Sequence, residues 1–450
     1  MQRMHFGISS LIVLLCACSS NVPPLPTATP LPLPTAISRP TETAMPTHVV
    51  VAPTARPSPT IIHTETPAVS PVPMLPADLI LVGATLIDGT GTAPLLDAVL
   101  AIRDGHVVGV GPAGSVAIDP AAQLIDMRGK TILPGLINAH AHTVSLSDDE
   151  LREFTRAGVT TVRDLAGPLD LLVRRAERFA EAADPSLPRV RIAGPMLTVP
   201  GGHPISIYGV SDESVAVNSP IEARIVTERL LDAGVQHIKI AVSGRTDVNW
   251  PELSDDQIRA ITDVAHVHGA RVTAHIDRAS ALQRAVLAGL DDAGHMPRDR
   301  MSDELIALMV SRGVSLVPTI DVYENLAEER GNGAAWRAST LPVMEDNLRR
   351  FVAAGGNLAL GDDYGNPGVA LGLPYDEMQK WIGAGLTPMQ VLVAATQGSA
   401  RVCGIDQELG TLAPGKIADL LVVDGNPLAD LGILRQVVLV VRSGQVAYRR

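Results

Sequence analysis

Between Ile132 and about Gly404, short apolar and β-prone runs alternate with amphipathic helical stretches, and this alternation restricts the fold more than any other feature. Consecutive strands joined through helices pair in parallel, because each crossover returns the chain to the same edge of the sheet. Eight strand candidates are readable: Ile132–Ile137, Thr160–Leu165, Val190–Ala193, His237–Val242, Arg271–Ile276, Asp292–His295, Ser315–Thr319 and Asn357–Leu360. The helices carry start signals. Ser254 precedes Asp255-Asp256, and in Thr387-Pro388-Met389-Gln390 the threonine caps, the proline takes the first helical position and the glutamine completes a capping box. Eight β/α units in series predict an α/β chain folded as a (β/α)8 TIM barrel. A doubly wound open sheet is the alternative, but no Gly-rich dinucleotide loop follows the first strand.

The flanks have a different texture. Leu79-Ile80-Leu81-Val82 and Ala84-Thr85-Leu86-Ile87 are apolar runs parted by Gly83 and ended by Asp88-Gly89. Ala98–Ile102, the turn Asp104-Gly105 and Val107–Val110 read as a hairpin, with His106 an ordinary surface residue at its edge. Ala418–Val423, Val437–Val441 and the turn Ser443-Gly444 repeat the pattern near the other end. These strands are expected to close into one small β-sandwich, with parts at 77–133 and 405–450 flanking a barrel at 134–404.

Residues 1–18 read as an export signal, in which Arg3 and His5 come before an apolar run from Phe6 to Cys16 that is too short to span a bilayer. Leu15-Cys16-Ala17-Cys18 is similar to a bacterial lipoprotein signal, where a small residue precedes the lipidated cysteine, and Cys18 fits that position better than Cys16. The expectation is an exported protein anchored on the outer face of the cell membrane through acyl chains, each buried CH₂ contributing ~0.8 kcal/mol. Residues 19–76 are dominated by Pro, Thr, Ala and Ser, lack the means to form a core and read as a tether, with His48 and His63 solvated. In polyproline II such a tether reaches up to about 180 Å. The remainder keeps only Cys403, which excludes an internal disulfide there.

A formal net charge of -12 and 3 % aromatic residues deny nucleic acid its basic stripes and stacking platforms, leaving a small molecule as the expected partner. The oligomeric state, a homo-oligomer included, stays open.

The chemistry is concentrated where the strands of such a barrel end, the face on which functional residues sit. His140 and His142 close Pro134-Gly135-Leu136-Ile137-Asn138-Ala139-His140-Ala141-His142, and alternate residues of an extended segment point the same way, toward one metal. The pair His266 and His268 falls at a helix end, shares no face and reads as structural or surface. Lys239 alternates with apolar neighbours inside the fourth strand. As an ammonium it would repel metal ions, whereas a lysine carboxylated by CO₂ lowers the formal charge of a two-metal site from roughly +3 to roughly +1. His237 shares its face one layer deeper and reads as packed or hydrogen-bonded. His275 and His295 end the fifth and sixth strands, and Asp363 follows the eighth in Gly361-Asp362-Asp363, placed to bind metal and move a proton while Asp362 points away.

These residues resemble the amidohydrolase superfamily over about residues 77 to 450, in the branch of imidazolonepropionase-like proteins and binuclear amidases such as metal-dependent prolidases and ochratoxinase. The matching stretches are Leu133–His142, Gly158-Val159-Thr160-Thr161-Val162-Arg163-Asp164, Ile238-Lys239-Ile240 and Gly410–Leu420. The family's carboxylated lysine, which imidazolonepropionase lacks, falls on Lys239, so the resemblance implies a binuclear amidase. The family's Gly-Thr-Asp stands here as Gly361-Asp362-Asp363, and its Ser-Gly-Gly as Ser243-Gly244-Arg245. Relatives place a histidine near the substrate after the third strand, where His203 stands in Gly201-Gly202-His203; Arg245 and Tyr323 are further candidates for substrate contact.

The sequence therefore predicts a hydrolase of amide bonds with two divalent ions, zinc by its donor set, held by His140, His142, Lys239, His275, His295 and Asp363. A metal-bridging hydroxide would attack a dipeptide, N-acyl amino acid or cyclic amide, with Asp363 carrying the proton to the leaving nitrogen. Two alternatives stand beside this: a mononuclear deaminase or imidazolonepropionase-type ring hydrolase, which would not need Lys239, and a non-catalytic surface binding lipoprotein.

Overall fold

The structure, a computed structural model, describes residues 76–116, 119–181, 184–244 and 249–450, which fall within one compact unit. Cys18, the expected signal 1–18, the tether as far as residue 75 and Arg245 lie outside the described residues.

The first expected strand is two. Thr131–Pro134 and Leu136–Ala141 meet at Gly135, whose N–H donates to Asp419 O at 2.9 Å, while the N–H of Leu136 donates to Gly158 O at 2.9 Å. The chain changes sheets at that residue. Thr131–Pro134 pairs antiparallel with Leu420–Val423 and in parallel with Leu79–Leu86, which joins the two flanks. The resulting sheet has eight strands and runs Gln445–Arg449, Val437–Arg442, Leu420–Val423, Thr131–Pro134, Leu79–Leu86, Leu95–Arg103, His106–Pro112, with Gln123–Asp126 also on Leu79–Leu86. In its pairing this is one mixed sheet, not the sandwich expected. Alternation along Leu79–Leu86 feeds both faces: Leu79 and Leu81 pack with Leu100, Ile102, Leu420 and Leu439, whereas Ile80 packs with Val99 and Ala101.

The strands between the flanks are parallel, as the alternation predicts, but they fall into two ladders. Leu136–Ala141, Val159–Asp164 and Arg189–Ile192 form one; Ser214–Ala216, Met196–Thr198, His237–Ala241, Arg271–His275, Asp292–Ala293 and Ser315–Leu316 form the other. Met196–Thr198 and Ser214–Ala216 have no counterpart in the sequence reading. Asn357–Leu360 is not a strand, although Leu316 N–H donates to Asn357 O at 3.0 Å and Ala139 N–H to Leu360 O at 2.6 Å, so it lies between the seventh and first strands. Between the third and fourth, Gln236 N–H donates to Ile192 O at 3.0 Å without a ladder. The expected parallel α/β order is present, while the strands fall into two parallel sheets and do not form one closed ladder. The pairing stops early because the strand ends carry chain that cannot continue it: Pro318 has no N–H, and Thr319 and Asp363 take left-handed φ of 49° and 59°.

Helices cover these sheets with apolar faces. Leu151 and Phe154 of Asp148–Arg156, and Ile258, Ile261 and Ala265 of Asp255–Val267, are buried in the largest core cluster. The expected capping box of Thr387 with Gln390 forms, and Ser254, expected as a helix start, caps its helix in a second box with Gln257. Among the described residues no helix is long and apolar enough to cross a membrane.

Candidate metal centre

Strand alternation places His140 and His142 on the same side at the end of Leu136–Ala141, and their Nε2 atoms lie 3.1 and 3.0 Å from Asp363 Oδ1. One donor atom from each of the three falls within 4.8 Å of the others. The backbone sets this distance: Asp363 N–H donates to His140 O at 2.9 Å, and His142 N–H to Tyr364 O at 2.7 Å. Gly361 permits the close approach, since a Cβ there would stand 2.7 Å from His140 Cβ. The left-handed turn at Asp363 is strain located where its carboxylate is aimed.

Lys239 joins the same group. It is 1 % exposed, and its Nζ lies 3.4 Å from His140 Nε2. Gly294 makes room for it, because a Cβ at that position would sit 2.8 Å from Nζ. The His295 ring lies 4.7 Å from that of His140, and the His275 ring 4.4 Å from His295. His295 Nδ1 shares a 2.7 Å hydrogen bond with Thr319 Oγ1, which fixes the ring.

The electrostatics suit a cation. Burial, reinforced by the Lys239 charge, lowers His140 to about 4, and burial holds His275 and His295 well below the usual imidazole range. These rings are neutral at pH 7, the form that ligates metal. Burial opposes ionisation of Asp363, but His140 and His142 outweigh it and keep the carboxyl well below its ordinary value. For His142 burial is likewise overcome, by its hydrogen bond to Asp363, and its pKa rises. Burial lowers Lys239 to about 8 against the pull of Asp363. The Nε2 atoms of His140 and His142 and Oδ1 of Asp363 converge on one point, a donor arrangement that a metal ion fits. The donor set of imidazole nitrogens and a carboxylate fits zinc or a similar divalent ion. Asp362 turns away, accepting from Asn138 Nδ2 at 2.8 Å, and burial pushes it up to about 7.

The rim holds His203, whose ring stacks on His275 at 3.9 Å and whose pKa burial pushes down to about 2. Trp250 lies 6.3 Å beyond it. The Tyr323 ring stands 5.6 Å from His295, with its hydroxyl donating to Asp277 Oδ1 at 2.6 Å, and Arg298 donates to the other Asp277 oxygen at 3.0 Å. The sequence reading missed Asp277, Arg298, Trp250 and Thr319. For the first two a signal existed, since Asp277 and Arg298 follow the ligand candidates His275 and His295 by a few residues on the same loops. His237 is buried, one layer deeper than Lys239, with the charges of Arg163, Arg191 and Arg271 acting on its ring. His266 and His268 pair with Asp291 and Glu228 on the surface.

A family model described as the amidohydrolase family matches residues 131–447, and the chain belongs to that family. It is a hydrolase of carbon–nitrogen bonds, in a superfamily that generally uses metal ions. It is 28 % identical over 407 residues to an imidazolonepropionase of Symbiobacterium thermophilum, spanning 78 % of this chain and 92 % of that protein. It is 24 % identical over 412 residues to the ochratoxinase of Aspergillus niger, spanning 79 % and 83 %. Among solved structures, a putative prolidase from Bifidobacterium longum superposes with a TM-score of 0.74 at 29 % identity, covering 83 % of this chain and 95 % of that one.

Proposed function

We propose that this protein is a binuclear amidase acting on a dipeptide, an N-acyl amino acid or a cyclic amide. The observation that carries the reading is the buried Lys239 amine set 3.4 Å from the His140 imidazole, within a group of neutral histidines and one carboxylate. An unmodified ammonium would be out of place there. With its pKa lowered to about 8, a fraction of Lys239 is neutral near pH 7 and adds CO₂ at Nζ with loss of one proton, giving an anionic carbamate. Two divalent ions, when bound by His140, His142, Lys239, His275, His295 and Asp363, would activate water and polarise the scissile carbonyl. Asp363, ionised and aimed into the group, takes the proton of the attacking water and returns it to the leaving nitrogen. His203, neutral and stacked against His275, holds the carbonyl side of the substrate, and Tyr323 belongs to its binding surface, to which Arg245 is assigned from the sequence alone. In this reading the two parallel sheets are the wall of a (β/α)8 barrel and the mixed sheet is its flanking β-domain.

The test is metal content per chain together with hydrolysis of a dipeptide and N-acyl amino-acid panel, for wild type and Lys239→Ala. Two metals in wild type, with metal and activity both lost in the variant, are expected. A single metal indifferent to Lys239→Ala would favour a mononuclear ring hydrolase instead. Export and anchoring through Cys18 are part of the same proposal: Cys18→Ala should move the protein from the membrane to the soluble fraction, and retention on the membrane would refute the anchor.

A further inference from the structure

Thr319 stands where its residue type is not at ease. It is the N-cap of the helix Ile320–Glu329 and takes φ 49°, ψ 46°, the left-handed region that a β-branched side chain rarely enters. A threonine at a helix start ordinarily turns its hydroxyl onto the first free N–H groups of that helix. Here it makes no such bond, because the hydroxyl is committed to His295 Nδ1 at 2.7 Å. The helix start therefore needs another acceptor.

That acceptor comes from a distant segment. Glu377, in the helix Tyr375–Gly383, accepts from Asp321 N–H with Oε2 at 2.8 Å, and the Ile320 N–H acts on the same carboxyl. Its Oε1 accepts from Trp381 Nε1 at 2.7 Å, one turn along its own helix. Glu377, Trp381 and Thr319 are all 0 % exposed, so water does not replace these partners. Burying a carboxyl costs free energy unless its oxygens are hydrogen-bonded, and the bonds it makes here are those the helix start lacks. Burial pushes Glu377 up to about 8 against the pull of the two N–H groups. Much of it is uncharged near pH 7, so an acceptor oxygen matters more than a charge. The two helices are joined a second time where Lys380 pairs with Glu324.

We propose that Glu377 is a positioning residue of the metal centre: by capping the helix Ile320–Glu329 in place of Thr319, it leaves the threonine hydroxyl to fix His295. The contacts run from Trp381 through Glu377 and the Ile320–Asp321 backbone to Thr319, and from there to the imidazole. This role rests on the reading of His295 as a metal ligand; the contacts themselves stand without it.

Chelator competition with zinc on the full chain tests it, for wild type, Glu377→Leu, Glu377→Gln, Thr319→Val, the double variant Glu377→Leu/Thr319→Val and Lys380→Gln. Glu377→Leu should weaken zinc binding about tenfold or more. Glu377→Gln keeps an acceptor oxygen and should stay within about threefold of wild type, and the double variant should bind as Thr319→Val does, because both changes act through one hydroxyl. Lys380→Gln, which breaks the other link between the helices, should leave zinc affinity unchanged. Wild-type affinity in Glu377→Leu, losses that multiply in the double variant, or an equal loss in Lys380→Gln would overturn the proposal. If circular dichroism shows Glu377→Leu unfolded, Glu377→Asp, which draws the carboxyl back from the helix start, takes its place with the same expectation. Nitrogen NMR of the His295 ring in zinc-free protein separates this role from the metal reading. The Nδ1 resonance should move in Glu377→Leu toward its position in Thr319→Val, and an unmoved resonance would refute the positioning role. A wild type that binds no zinc would sink the metal reading, with this resonance still deciding whether Glu377 fixes the ring.

Discussion

Lys239 and His237 stand two residues apart on one strand, share a face and are both buried, yet they occupy opposite electrostatic settings. Toward the C-terminal ends, Lys239 meets neutral imidazoles and the ionised Asp363, a setting short of positive charge that a divalent cation completes. One layer deeper, His237 lies under the positive charge of Arg163, Arg191 and Arg271, of which Arg163 is paired with Asp292. The same strand therefore carries two residues in settings of opposite sign, and the residue types around each decide which.

The comparison breaks first at Asp363. Asp363→Asn keeps the shape but removes the proton acceptor, and kcat should fall about 10³-fold, within the usual range for a general acid–base group. A steady-state assay with the preferred substrate checks this, and a loss below tenfold would reassign the proton transfer. Thr319→Val removes the hydrogen bond that orients His295 and should weaken metal affinity by about 10- to 100-fold, as is usual for a group supporting a metal ligand. Competition with a chelator measures it, and unchanged affinity would show that packing alone holds the ring.

The pH dependence sharpens the same contrast. Proton and metal compete for His140, whose pKa is lowered to about 4 from the ordinary 6.5, so the ring stays available as pH falls through 6.5. His142, whose pKa is raised by its hydrogen bond to Asp363, is the first of these ligands to be protonated, so metal per chain after dialysis should begin to fall as pH drops through the ordinary imidazole range while His140 still remains available. Full retention of metal down to about pH 4 would mean that His142 is not a ligand. The smallest effect belongs to His266→Ala, which breaks an exposed pair with Asp291 and should leave kcat/KM within about twofold.

Much of the candidate centre was legible because its residues sit where periodicity can be counted. His140 and His142 follow a recognisable strand, and His275, His295 and Asp363 each close a β/α unit, so their common side follows from alternation. His237 shows the limit within a single strand: its burial was readable, but the charges of Arg163, Arg191 and Arg271 around it, brought in from other strands, were not.

By itself, the sequence determined the parallel strand–helix order, the capped helix starts and the identity of the histidines, lysine and aspartate, because these depend on local periodicity and residue chemistry. Tertiary structure decided the rest. Gly135 sends Thr131–Pro134 into the sheet shared by both flanks, the left-handed turns at Thr319 and Asp363 stop the ladders short, and backbone bonds between His140, His142 and the 363–364 turn bring the carboxylate to 3.0 Å. Those outcomes depend on pairings between distant segments, where hydrogen-bond geometry and close packing select among arrangements that local propensity leaves equal.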